Sequence, residues 1–110
     1  MKYALLVYDV PTEWAGVTDE QMGGLMQEYQ AVGEQSVGGQ RLQPVQAAKT
    51  VRVQNGDTFV TDGPFAETKE QLGGYYLVEA DTIDDAVKIG AAIPSARMGG
   101  SIEVRPLVEM

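Results

Sequence analysis

The chain has 110 residues, with 8 basic and 16 acidic side chains, no cysteine and no histidine, for a formal charge of −8. Disulfides, thiolate nucleophiles, imidazole ligands and histidine-dependent triads are therefore closed to it. The charge opposes unassisted binding to nucleic acid or anionic lipid, and a hydrophobic content of 44% suits a soluble, cytoplasmic, single domain over residues 1–110.

Lys2 to Asp9 reads as a first strand, with Tyr3, Leu5 and Val7 alternating against Ala4, Leu6 and Tyr8. Acid and proline follow at once, so MKYALLVYDVP reads as a buried strand rather than a signal peptide. No stretch approaches the roughly 18 continuous apolar residues of a membrane span. Val10 to Val17 is a loop. Thr18-Asp-Glu-Gln21 has the form of a capping box, and Met22, Leu25, Met26, Tyr29 and Val32 make the apolar stripe of the helix that follows.

Gly38-Gly39 reads as the stop of that helix. A second extended region is expected at Ala47 to Gln54, then a hairpin turn at Asn55-Gly56-Asp57 and a strand at Thr58 to Thr61. Gly74 to Ala80 is the next strand. Thr82 or Asp81 caps a short helix whose buried stripe is Ile83, Ala86, Val87 and Ala91. Pro94 ends it, and Ser101 to Val108 is the last strand. The order β-α-β-(hairpin)-β-α-β predicts an α+β, ferredoxin-like βαββαβ domain with an additional β-hairpin: a four-stranded antiparallel sheet with two helices on one face. Leu6, Tyr8, Tyr76 and Val78 are expected on the opposite face, which a second copy covers in a homodimer.

Asp62-Gly63-Pro64-Phe65 resembles the signature of the DGPF-domain subgroup of the YCII-related family. The likeness extends to MKYALLVY, to Gly39-Gln40-Arg41-Leu42-Gln43-Pro44, to Thr61–Ala80 and to Gly100-Ser101-Ile102-Glu103-Val104-Arg105-Pro106. The resemblance implies a ferredoxin-like fold assembled as a dimeric α+β barrel, and an association of some relatives with alternative sigma factors. More distant members look like enzymes with a histidine and an aspartate in a pocket, the histidine following Glu-Gln on the first helix. Here Glu20-Gln21 is followed by Met22, and a thioether cannot relay a proton.

Asp62 and Asp9 are the candidate catalytic carboxylates. Asp62 either accepts from amides of its own turn or faces a ligand; Asp9 ends the first strand and either handles a proton or bonds across the turn into Pro11. Candidate ligand-binding residues are Arg41, Phe65, Lys69, Tyr75, Arg97 and Trp14. The two arginines and Lys69 suit an anionic group. Tyr75 suits a phenolic donor, Phe65 a pocket wall or the core, and Trp14 a lid or an edge cover. Gly73-Gly74 lacks the spacing of a nucleotide-binding loop and reads as a bulge or a close backbone passage at the strand entrance. No metal-ligand pattern or cofactor motif is present. Two function classes follow: a noncatalytic dimer binding a small anionic metabolite or a regulatory protein, and a small-molecule enzyme that uses a carboxylate as general acid or base with tyrosine and arginine orienting the substrate.

Overall fold

The computed structural model describes residues 1–64 and 69–109. Strand β1 (Lys2–Asp9) leads through the turns of Val10–Val17 into helix α1 (Asp19–Gln35). Strands β2 (Gly38–Arg41), β3 (Lys49–Gln54), β4 (Asp57–Asp62) and β5 (Gln71–Glu79) follow, then helix α2 (Ile83–Ala91), a 3-10 turn at Pro94–Arg97 and strand β6 (Ser101–Pro106).

Four strands form one antiparallel sheet in the order β2-β5-β1-β6. This is an α+β arrangement consistent with a ferredoxin-like fold. The edge strand beside β5 is Gly38–Arg41, not the expected Ala47–Gln54. The reason is steric: at Gly39 (φ 137°) a Cβ would lie 2.3 Å from the Tyr75 carbonyl oxygen. The two glycines that look like a helix stop are therefore strand residues, and Gly39 lets two backbones meet. The helix ends earlier, at Ser36, whose amide and hydroxyl both donate to the Gly33 carbonyl.

Among the described residues β3 and β4 pair only with each other, in a separate two-stranded sheet. Asn55 (φ 51°) and Gly56 (φ 83°) turn the hairpin, the positive pair a type I′ turn needs. Val51, Val53, Phe59 and Val60 stay exposed along it. The hairpin is an arm, which explains a radius of gyration of 15.9 Å where roughly 13 Å is usual for a chain of this length.

The core is the face of the four-stranded sheet under the helices. Tyr3, Leu5 and Val7 pack with Val78, Val32, Ala86 and Ile93, and Tyr29, Tyr76, Ile89, Ile102 and Val104 border them. Register decides the faces: Tyr3 pairs with Val78 and Leu5 with Tyr76. Tyr76 and Val78 therefore lie beneath the helices, against expectation. Tyr75 and Leu77, paired with Leu6 and Ala4, take the open face.

Helix α1 has the expected capping box: Thr18 Oγ1 accepts from the Gln21 amide at 3.1 Å, and Gln21 Oε1 accepts from the Thr18 amide at 3.0 Å. Thr82 caps α2. That helix buries Ala86 and Gly90, and Ile83 and Val87 are exposed, so its inward face is turned from the predicted one. Gly90 faces Ile102 and Val104 of β6, where a Cβ would lie 3.4 Å from Ile102, an ordinary packing distance. The two ends of the chain lie together on the sheet: the Leu107 amide donates to the Lys2 carbonyl at 2.9 Å, and the Met1 amino group to the Ala80 carbonyl at 3.2 Å.

Candidate functional site

A cavity of about 380 Å³ lies between α1 and the sheet. Val7 and Tyr76 floor it, and Met26 and Tyr29 of α1 roof it. Trp14, half-buried, stands against Tyr29 with ring centroids 6.1 Å apart and planes tilted by 37°. Asp9 and Arg41 mark its polar end.

Asp9 is placed by an irregularity. The β1–β5 register shifts between Val7 and Tyr8: Val7 pairs with Gly74 and Tyr8 with Leu72, which leaves Gly73 as the extra residue. Bulges of this kind re-aim a neighbouring side chain. The Asp9 carboxylate occupies the space over Gly73, where a Cβ would lie 1.9 Å from Oδ2.

Behind Asp9 sits a second carboxyl. Glu13, in the turns after β1, is only 6% exposed. Ser95 joins the two: its hydroxyl is 2.7 Å from Asp9 Oδ1 and 3.2 Å from Glu13 Oε2. The Tyr29 hydroxyl is 2.7 Å from the same Ser95 oxygen. One serine carries one hydroxyl proton, so two carboxylates cannot both receive it. Glu13 Oε1 is buried and has no hydrogen-bond partner among the described residues. A proton on Glu13 resolves both shortages, because the acid then donates to its neighbours.

The electrostatics agree. Burial, the Asp9 charge and the hydrogen bond to Asp9 push the Glu13 carboxyl up from 4.5 to about 7, against a smaller lowering by Ser95. Burial raises both phenols as well: for Tyr29 the nearby acids add to it and Ser95 opposes it, and for Tyr76 Arg41 opposes it. The Tyr76 hydroxyl reaches the Tyr29 carbonyl at 3.5 Å.

The structure brings Asp9, Trp14 and Arg41 together around one cavity; Tyr75 borders it from β5, but its place in the register is on the open face of the sheet. Asp62 is elsewhere. It closes the arm with its carboxylate 2.6 Å from Lys49 Nζ, its side chain 87% exposed, and it lines neither this cavity nor its neighbour. Arg97 pairs with Glu28 at 2.5 Å, and Lys69 is exposed and lines neither of the two cavities described. Phe65 lies outside the described residues. Met22 is one turn before Met26 and is not part of the cavity wall.

Sequence reasoning misses Glu13 and Ser95, and gives Tyr29 and Tyr76 no role in the site. Glu13 does carry a signal: it lies four residues after Asp9, across a proline-containing turn. Ser95 carries none, being 86 positions from Asp9 along the chain.

A helix-roofed antiparallel sheet with a carboxyl pair at the end of its first strand is the frame on which family membership falls. The chain belongs to the YCII-related domain family, whose pattern matches residues 1–110. An uncharacterised protein of Rhizobium meliloti (strain 1021) is 40% identical over 117 aligned positions, which cover 97% of this chain and 92% of that relative.

Proposed function

We propose that this protein is a small-molecule enzyme that moves a proton on a small anionic metabolite, with the Asp9–Glu13 pair as its acid and base. The observation that carries the reading is the buried Glu13 carboxyl, held near 7 beside Asp9. A buried carboxyl that keeps its proton near neutrality, beside a second carboxyl, can both take and give one. Asp9 faces the cavity and transfers the proton; Glu13, behind it, sets the affinity of the pair. Arg41, with no ion-pair partner among the described residues, holds the substrate's charge. This does without the histidine that Met22 replaces.

The test is deuterium uptake from solvent at the carbon beside the carbonyl in a panel of small 2-oxo carboxylates. The expected result is catalysed exchange with an inflection near pH 7, reduced about 100-fold or more by Asp9→Asn. Carbon-13 titration of Glu13 reads the premise directly, and an ordinary carboxylate value would sink the proposal.

A noncatalytic binder of a metabolite or regulatory partner is the second reading, favoured by the thioether at position 22. Saturable binding in the cavity without exchange would select it. Assignment to the DGPF subgroup rests on Asp62-Gly63-Pro64-Phe65. A homodimer packed sheet to sheet, closing an α+β barrel, is supported by the open apolar face of Ala4, Leu6, Tyr8, Tyr75 and Leu77. The arm supports it too, since a lone two-stranded hairpin is marginal in water.

A further inference from the structure

A second cavity, of about 430 Å³, adjoins the first, walled by Leu42, Gln43, Pro44, Val45, Gln71 and Leu72. Asp9, Arg41 and Gly73 line it as well, and all three also line the cavity under α1. These three residues are therefore the shared wall, or partition, of the two chambers.

From this arrangement we infer that the substrate is an aromatic monocarboxylate with a hydrogen-bonding arm, and that it straddles the partition. The inference rests on the acid–base reading of the same site. The chamber under α1 takes the ring. Its walls are Trp14, Tyr29, Tyr76, Met26 and Val7, and a cavity of that size holds a substituted ring. Arg41 takes the carboxylate. Its planar fork matches a carboxylate, and its field already reaches the Tyr76 phenol inside the first chamber.

A dianion such as a phosphate ester fits the partition poorly. A single guanidinium shares the wall with the Asp9 carboxyl, in a chain of net charge −8, and an added second negative charge meets repulsion without a second cation. The second chamber takes the arm, where the side-chain amides of Gln43 and Gln71 offer both donors and acceptors. The molecule so held has its central carbon beside Asp9, the carboxyl that faces both chambers.

Amide-detected NMR titrations of the full chain with four probes test this: 3-phenylpropionate, its neutral amide, phenyl phosphate and N-acetylphenylalanine. The expected result is that 3-phenylpropionate shifts the amides around Trp14, Tyr29 and Gly74. N-acetylphenylalanine shifts these and also Gln71 and Leu72, and binds more tightly. The neutral amide and the phosphate bind about tenfold or more weakly, as does the carboxylate to Arg41→Ala. Leu72→Trp, on an exposed position of the second chamber, is expected to abolish only the advantage of the acetyl arm. Equal binding of acid and amide, no loss in Arg41→Ala, or shifts confined to other surfaces would overturn the inference. If the probes fail in this way while Glu13 still titrates near 7, only the two-chamber assignment falls. If Glu13 titrates as an ordinary carboxylate, the acid–base reading falls whatever the probes do.

Discussion

A methyl group on Gly73 would stand 1.9 Å from Oδ2 of Asp9, so the carboxylate occupies the place of the missing side chain. Gly73→Ala is expected to drive Asp9 off this position and away from Glu13. Without the Asp9 charge and hydrogen bond, the Glu13 titration falls from about 7 towards 4.5. The stability cost should be about 1–3 kcal/mol. Carbon-13 titration and urea unfolding measure the two effects, and an unmoved Glu13 would show that the bulge does not set the pair.

Ser95→Ala should move the same titration the other way. The Ser95 hydrogen bond favours ionised Glu13, so its loss raises the Glu13 value further. Tyr29 loses its partner at the same time, at a cost of about 1–3 kcal/mol for the buried groups left unpaired. Opposite displacements in the two variants are the signature to look for in one series of spectra.

Stability depends on pH through Glu13 with a definite sign. Its folded value, about 7, lies above the ordinary 4.5, so between these limits the folded state holds a proton that the unfolded chain has released. The stabilising contribution of protonated Glu13 is complete below 4.5 and is lost as pH rises to about 7. The swing is on the order of 3 kcal/mol. Glu13→Gln removes this component, so the difference in unfolding free energy between variant and parent should grow from pH 4.5 to 7 and level off above. A difference that is flat across this window would count against the buried acid.

Asp62→Asn should leave the cavity chemistry unchanged and cost under about 1 kcal/mol, as is usual for an exposed ion pair. Its partner Lys49 is 67% exposed in its side chain. Thermal melting and the Glu13 titration both check this, and a lost titration shift would return Asp62 to the site.

Leu6→Lys probes association. Leu6 lies opposite Glu103 across the β1–β6 ladder, so the lysine gains a cross-strand partner in the isolated chain and a buried charge in a sheet-to-sheet dimer. Sizing in solution should show the parent as a dimer and the variant as a monomer that stays folded. A parent that elutes as a monomer at micromolar concentration would remove the proposed assembly.

The elements carried by local chemistry are legible in the sequence. The Thr18 capping box, the Asn55-Gly56 turn, the alternation of β1 and the stop at Pro94 act over a few residues, and each is where its pattern points. Features set by contacts across the sheet are not legible. Gly38-Gly39 has the composition of a helix stop, and only the approach of the Tyr75 carbonyl makes it a strand. Tyr76 and Val78 change face because they pair with Leu5 and Tyr3 of β1, a register that their own alternation does not reveal. The site divides in the same way. Asp9, Arg41 and Trp14 stand out by residue type, whereas Ser95 becomes a site residue only when the turn after α2 is laid beside the end of β1.

The meeting of the chain ends on the sheet gives a way to dissect the arm. With Leu107 bonded to Lys2, and Met1 to Ala80, a short linker can splice the two ends. New ends can then be opened between Asn55 and Gly56, at the tip of the hairpin. Such a circular permutant keeps the strand order β2-β5-β1-β6 and the cavity beneath α1. It turns β3 and β4 into two independent tails, either of which can be trimmed without cutting the sheet.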